Sequence, residues 1–343
     1  MNYFQRYLVE EFAEDYQEGR ISRRKALKLI ASVTGSAVIA NSILAACAPP
    51  PESTEPGAGA VVPGDEMAAT GAAEVPVTGA TGTPESAQPA AASTGMPDAQ
   101  GTPGAHGTVM PDDPSIEASD VEFAGEDGAT LLGYLARPAG GDSYAVTLVC
   151  HENRGLTEHI KDVTRRLAKA GYAALAVDLL SRSGGTSALS EEEIPGILGN
   201  TPPEQFVQDF RSGWRYMQEQ PFAEAERVGM VGFCFGGGVT WRMAVEMPEL
   251  RAAVPFYGPH PPIEEVPRIE APVMAIYGEL DQRINQGIPA IEEAMQQNNK
   301  VFEYHIYPNA DHAFFNDTGQ RYNPEAARDA WARTLAWFGQ YLA

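Results

Sequence analysis

Val228-Gly-Met-Val-Gly232-Phe-Cys234-Phe-Gly236-Gly237 is an apolar run that breaks into a glycine-flanked turn with a cysteine at its apex. The pattern reads as a buried strand running into a sharp turn and then a helix, G-x-C-x-G in the form of a nucleophile elbow. Glycine on either side lets strand and helix backbones approach closely, and the turn lifts the cysteine side chain clear of the sheet. A nucleophile placed there has the backbone N–H of the next residue, Phe235, aimed at any oxyanion it creates. Small residues around a buried structural cysteine are common, so the turn alone leaves both readings open.

An elbow of this kind needs an acid and then a histidine further along the chain. Ala271-Pro-Val-Met-Ala-Ile-Tyr277 is a buried-strand pattern that opens into Gly278-Glu-Leu-Asp281. Val301-Phe-Glu-Tyr-His-Ile-Tyr307 is the next strand, followed by Pro308-Asn-Ala-Asp-His312-Ala-Phe-Phe. Cys234, Asp281 and His312 thus follow three successive strands, where open α/β sheets build their sites. In this reading His312 takes the thiol proton, while Asp281 fixes the imidazole tautomer and steadies the imidazolium. Asp311 is a competing acid, but a sequence neighbour rarely reaches the far ring nitrogen.

Together with Cys150-His-Glu152-Asn-Arg-Gly155 and Gly171-Tyr-Ala-Ala-Leu-Ala-Val-Asp178, these motifs resemble the dienelactone hydrolases (carboxymethylenebutenolidases) over residues 118–341. A cysteine in the elbow separates that family from the serine esterases of the same α/β-hydrolase fold. The resemblance implies Cys234 as nucleophile, Asp281 and His312 as its partners, and Glu152 as a second carboxylate that accepts the thiol proton when substrate binds. Such an arrangement makes the reactive thiolate only on demand, sparing it from oxidation. It also implies the Asn153 backbone N–H as second oxyanion donor beside Phe235. The bland reading of Glu152 is a surface carboxylate or an ion pair with Arg154.

The departures bear on substrate. Members of that family hold a substrate carboxylate with arginines, one of them four residues after the histidine, where this chain has Asn316. A neutral amide next to Asp317 is a poor anion clamp. Arg182 and Arg321 are the candidate replacements, each with a plain surface role as the alternative.

The front of the chain reads as separate from this fold. Ser22-Arg23-Arg24-Lys-Ala-Leu-Lys28, a short apolar stretch and Leu44-Ala-Ala-Cys47 resemble a twin-arginine export signal ending in a lipobox, with Cys47 as the lipid acceptor. The stretch from Leu29 to Ala46 is marginal as a spanning helix in length and apolarity, and an uncleaved N-terminal anchor is the alternative. Both readings place the catalytic domain outside a bacterial cytoplasmic membrane. Residues 48–115 are rich in Ala, Gly, Pro, Thr and Ser, with nine acidic residues and no Lys or Arg. That composition predicts a disordered tether.

Of 343 residues, those from 116 to 343 remain for one α/β domain with a substantial core. The formal charge of −22 leaves −14 on that domain, which argues against nucleic acid or anionic membrane surfaces as partners. No Cys/His cluster has zinc spacing and no Gly-rich phosphate loop occurs, so no cofactor or metal is implied. Each of the three cysteines has its own explanation: lipid for Cys47, catalysis for Cys234, a core strand for Cys150. Strand patterns at 121–123 and 131–136, read as an entry hairpin around Glu126-Asp-Gly128, and at 146–150, 173–177 and 252–257 alternate with helical patterns at 158–170 and 190–220, and a last helix is predicted over 324–341. That order predicts βαβ units and a mostly parallel sheet. The sequence therefore predicts an exported thiol hydrolase of small esters or lactones. A general carboxylesterase or thioesterase, and a non-catalytic surface lipoprotein of the same fold, are the rivals.

Overall fold

In the computed structural model, residues 1–47 and 107–343 are described. The segment read as a tether lies outside the described residues up to position 106. Eight strands form a single sheet: β1 (Ile116–Ala124), β2 (Thr130–Pro138), β3 (Tyr144–Cys150), β4 (Ala173–Asp178), β5 (Ala223–Phe233), β6 (Ala252–Phe256), β7 (Val273–Gly278) and β8 (Phe302–Tyr307). Their order is β1-β2-β4-β3-β5-β6-β7-β8. β1 and β2 form the expected hairpin, β2 meets β4 antiparallel, and every pairing from β4 to β8 is parallel. All residues of β4, β6 and β7 are buried, which is why they read as continuous apolar runs and not as alternations. This is the mostly parallel sheet that the alternation of strand and helix patterns predicts, in the α/β-hydrolase architecture that the elbow and the resemblance imply.

The helices are α1 (Tyr3–Gln17), α2 (Arg23–Thr34), α3 (Ala37–Ala46), α4 (Glu158–Lys169), α5 (Ile194–Asn200), α6 (Pro203–Gln218), α7 (Phe235–Glu246), α8 (Gln282–Asn285), α9 (Ile288–Gln297) and α10 (Pro324–Tyr341). α4 packs on β2 and β4, α7 on β5 and β6, and α10 on β6 and β7. The stripe Ala330, Trp331, Trp337 and Phe338 of α10 is buried in the core, the packing role its helical spacing predicts.

Two parts of the chain depart from the sequence reading. Residues 107–115, assigned to the tether, pack against α4. Val109 is buried, its N–H donates to Asp162 at 2.6 Å, and Lys169 pairs with Asp113 at 2.7 Å. Composition averaged over a long polar stretch hid this short apolar and acidic anchor. Residues 1–47 are also packed on the catalytic domain as three helices. Each has its own start signal: an Asn2/Gln5 capping box, Ser22 and Ser36, whose side chains accept backbone N–H groups. Gly35 closes α2 in the left-handed region at φ 69°. Along α1, Phe4, Leu8 and Phe12 recur at helical spacing and are buried, each worth about 1.5–3 kcal/mol when removed from water. α2 packs on α5, where a Cβ on Gly196 would lie 2.9 Å from Ser32 and one on Gly199 2.9 Å from Val33. α3 buries only Ala40 and Leu44 and leaves Val38 and Ile39 exposed. Among the described residues no helix is long and apolar enough to cross a membrane.

Candidate active site

The turn after β5 carries Cys234 at φ 58°, ψ −120°, a backbone conformation rare for a residue with a Cβ. Its neighbours make it possible. A Cβ on Gly232 would lie 2.2 Å from the Gly236 carbonyl oxygen, and one on Gly236 would lie 2.5 Å from those of Cys150 and His151. Only glycine fits where β5, α7 and the β3 loop converge. The Cys234 N–H donates to the Phe256 carbonyl at 3.1 Å, tying the turn to the next strand.

Asp281 follows β7 and caps α8, while His312 follows β8. The two meet as sequence order predicts: His312 Nδ1 lies 2.6 Å from Asp281 Oδ2, and both side chains are buried. Burial alone would depress the His312 imidazolium, but Asp281 and the Cys234 sulfur beyond it raise its pKa from 6.5 to about 10. Burial alone would raise the Asp281 carboxyl, yet His312, with Arg283 assisting, holds it below the ordinary carboxylate range. The Cys234 sulfur and a His312 ring nitrogen lie within 4.8 Å of each other. Asp311, the rejected alternative acid, instead pairs with Arg20 at 2.6 Å.

The loop after β3 brings Glu152 and Asn153 to the same end of the sheet. His151 braces it: Nε2 accepts the Leu179 N–H at 3.1 Å, and Nδ1 lies 2.7 Å from the Glu152 carbonyl. Burial keeps this imidazole below its ordinary pKa, consistent with one donor and one acceptor nitrogen. Glu152 Oε2 accepts from Asn316 Nδ2 at 2.8 Å; no ion pair joins it to Arg154 among the described residues. Asn316, where an arginine clamp would stand, therefore orients Glu152. The adjoining Asp317 is held by His159 and Arg166, and those contacts push its carboxyl far below the ordinary range. Among the described residues, neither the Phe235 nor the Asn153 backbone N–H has an internal acceptor.

The two arginine candidates separate. Arg182 pairs with Asp127 at 2.6 Å and with buried Asp209 at 2.8 Å. That committed guanidinium corrects the expectation of a substrate clamp: its position on the loop after β4 carries it toward the β1–β2 turn and α6. Arg321 lies near the site. Although burial opposes its charge, Glu11, Asp15, Asp311 and the Cys234 sulfur together raise its pKa.

Sequence reasoning missed four residues of this site. Tyr7 Oη sits 3.2 Å from Cys234 Sγ and 3.4 Å from His312 Nε2. The Glu11 carboxylate oxygens lie 3.6 and 3.8 Å from the sulfur, so the carboxylate in contact with the thiol is Glu11, while Glu152 faces Asn316. Arg283 pairs with Glu14 at 2.9 Å and stacks over the Tyr7 ring at 4.7 Å. Tyr257, strained at φ 36° after β6, places its ring 5.0 Å from that of His312. The spacing of Tyr7 and Glu11, one helical turn apart in a capped amphipathic segment, was the available signal for the first two. Burial, and next the Glu11 carboxylate, raise the Cys234 thiol above its ordinary value, against the lowering pull of His312.

The family model for "Dienelactone hydrolase family" matches residues 131–342. The chain belongs to the dienelactone hydrolase family. It is 35% identical over 247 residues to a protein of Methylorubrum extorquens, covering 68% of this chain and 84% of that one. A Saccharolobus solfataricus protein is 33% identical over 254 residues, covering 63% of this chain and 96% of its own length. Both bear the name "Putative carboxymethylenebutenolidase". The crystal structure of a "Putative Dienelactone Hydrolase" from Klebsiella pneumoniae superposes with a TM-score of 0.62 at 32% identity, over 66% of this chain and 99% of that one. This dienelactone hydrolase family member is thus an α/β-hydrolase, and its family is hydrolytic.

Proposed function

We propose that this chain hydrolyses small esters or lactones through a Cys234–His312–Asp281 triad. The observation that carries the reading is Cys234 at the strained elbow, facing the histidine whose other nitrogen lies 2.6 Å from Asp281. The thiol proton passes to Glu152, as the family resemblance implies, or to His312 where its imidazole is neutral. The sulfur then bonds to the substrate carbonyl carbon, and the oxyanion meets the Phe235 and Asn153 N–H groups. Collapse expels the alkoxide, which takes its proton from the His312 imidazolium and leaves a thioester; in a lactone it stays tethered. Water, giving a proton to His312, attacks the thioester carbonyl; the carbon–sulfur bond breaks to release a carboxylic acid, and the thiolate takes a proton back from the base that received the thiol proton. Asp281 holds the imidazole with Nε2 toward the sulfur throughout.

The names of the relatives support a lactone substrate. Asn316 in place of an arginine favours an acyl group without a carboxylate at that position. Hydrolysis of dienelactone and of p-nitrophenyl acetate by the chain and its Cys234→Ala variant, each carrying Leu8→Asp so that α1 leaves the site, tests both points. Activity that the variant lacks is expected, and equal rates in both would refute the thiol mechanism. The ratio between substrates chooses lactonase or general esterase.

Export belongs to the same proposal. Arg23 and Arg24 are exposed at the start of α2, and Leu44-Ala-Ala-Cys47 ends α3, which leaves the twin-arginine motif accessible on a folded chain. Mass analysis of the mature protein from a producing cell is expected to find an N-terminus at lipid-modified Cys47. A mature chain that begins at Met1 would overturn the lipoprotein reading.

A further inference from the structure

We propose that helix α1 is an intramolecular plug that keeps Cys234 and His312 closed off, so that the site opens only when residues 1–20 leave it. This rests on the reading of Cys234 as nucleophile. An attacked carbonyl carbon must come within about 3–3.5 Å of the sulfur, and Tyr7 Oη already stands at 3.2 Å. The same oxygen is 3.4 Å from His312 Nε2, the atom that must exchange protons with thiol and leaving group. Glu11 fills the next position, 3.6 Å from the sulfur. With these in place Cys234 is 3% and His312 2% exposed. Two cavities among the described residues lie elsewhere. One of about 170 Å³ is bordered by Tyr3, Phe4, Arg242 and Pro262, and another by Glu292, Lys300 and Tyr304; neither borders the triad. A lid leaves room for substrate beneath it; this helix occupies the room.

The plug is fastened at both ends. Phe4 packs on Phe235 and Phe206 with ring centroids 4.9 and 5.4 Å apart, so its apolar anchor is the residue whose N–H would hold the oxyanion. Tyr3 Oη donates to the His260 carbonyl. At the other end Arg20 pairs with Asp311, next to His312, and Glu14 with Arg283. These polar fastenings are partly exposed, the kind that contribute little each and yield together. Residues 1–20 precede Arg23-Arg24, so any cut at Leu44-Ala-Ala-Cys47 would remove the plug with the leader. Hydrolytic activity would then appear after removal of the leader.

The test uses the full chain with Cys47→Ser, comparing native α1 with Leu8→Asp, which ejects the helix from its apolar seat, and with Arg20→Glu. Arg20→Glu turns one fastening into a repulsion without touching the core. Iodoacetamide labelling of Cys234, followed by peptide mass mapping, is measured beside p-nitrophenyl acetate hydrolysis, with circular dichroism melts to establish folding. Labelling at least tenfold faster in Leu8→Asp is expected, severalfold faster in Arg20→Glu, with hydrolysis rising in the same order. Excess peptide of residues 1–20 should slow both again. Labelling equally fast in the parent and in both variants overturns the plug. So does labelling that rises while hydrolysis falls, since α1 would then belong to the working site. If Leu8→Asp fails to fold, Arg20→Glu decides alone. If labelling accelerates and no form hydrolyses ester or lactone, the plug stands and the hydrolase reading of Cys234 fails.

Discussion

Replacing Asp281 with Asn should remove the fall in stability that rising pH causes above neutrality and create one on the acid side. The His312 pKa is raised from 6.5 to about 10 with Asp281 as the chief raising partner, a difference equivalent to about 5 kcal/mol at most. Because the folded-state pKa is raised, this stabilisation is fully present below about 6.5 and is lost as pH rises toward 10. Between pH 6.5 and 8.5, below the ordinary thiol range, one proton's worth of linkage predicts a loss of up to about 3 kcal/mol. In Asp281→Asn the imidazole keeps its burial but loses the carboxylate, so its folded pKa should drop below 6.5. The variant's stability should then be flat from pH 6.5 to 8.5 and fall as pH decreases through 6. Urea unfolding at half-unit pH steps measures both curves. Parallel curves for the two proteins would refute the claim that the His312–Asp281 pair is ionised in the fold. The same substitution lets Asn donate to Nδ1, imposing the wrong tautomer on the nitrogen facing Cys234. Hydrolysis by the form with α1 displaced should fall about 10²- to 10⁴-fold.

Three further outcomes follow from the geometry. Gly232→Ala puts a Cβ 2.2 Å from a backbone oxygen, so it should destabilise the fold by more than about 3 kcal/mol and abolish activity; a melting temperature within 2 °C of wild type, roughly the scatter of a neutral surface change, would contradict the elbow packing. Arg182→Ala leaves Asp209 buried without its guanidinium and should cost about 1–3 kcal/mol, while KM for any substrate stays unchanged. A KM increase with unaltered stability would restore Arg182 as a substrate clamp. Glu152→Gln keeps the Asn316 contact but not the charge, so kcat/KM should drop roughly 10- to 100-fold with little change in melting temperature, and an unchanged rate would assign the thiol proton to His312 alone.

The βαβ order, the hairpin at 126–128, the elbow and the two partner loops were legible from local signals. Apolar runs with glycine breaks report strand and turn directly, because a fully buried strand tolerates little else. Glu152 was legible only through family resemblance, since a loop carboxylate has no periodicity to expose it. Arg182 and Arg321 looked alike in sequence; the acids that surround each one, contributed by distant segments, set them apart. Residues 107–115 were misread because their few anchoring contacts vanish in an averaged composition.

The N-terminal segment marks the boundary most clearly. Its start signals, the Asn2/Gln5 pair, Ser22 and Ser36, are local, since capping acts within a few residues, although the reading of residues 1–47 as a leader did not use them. The sequence did determine that Cys234 sits on a turn only glycines could flank. What the apolar face of α1 buries against is a long-range matter, and only the tertiary structure decided it: Phe4 on Phe235, Tyr7 and Glu11 on Cys234. Hydrophobic burial is non-directional; it says that a face must be covered, not by what. The partner is selected by shape and charge, which exist only once β5, β7 and β8 have brought the elbow, Arg283 and Asp311 to one end of the sheet.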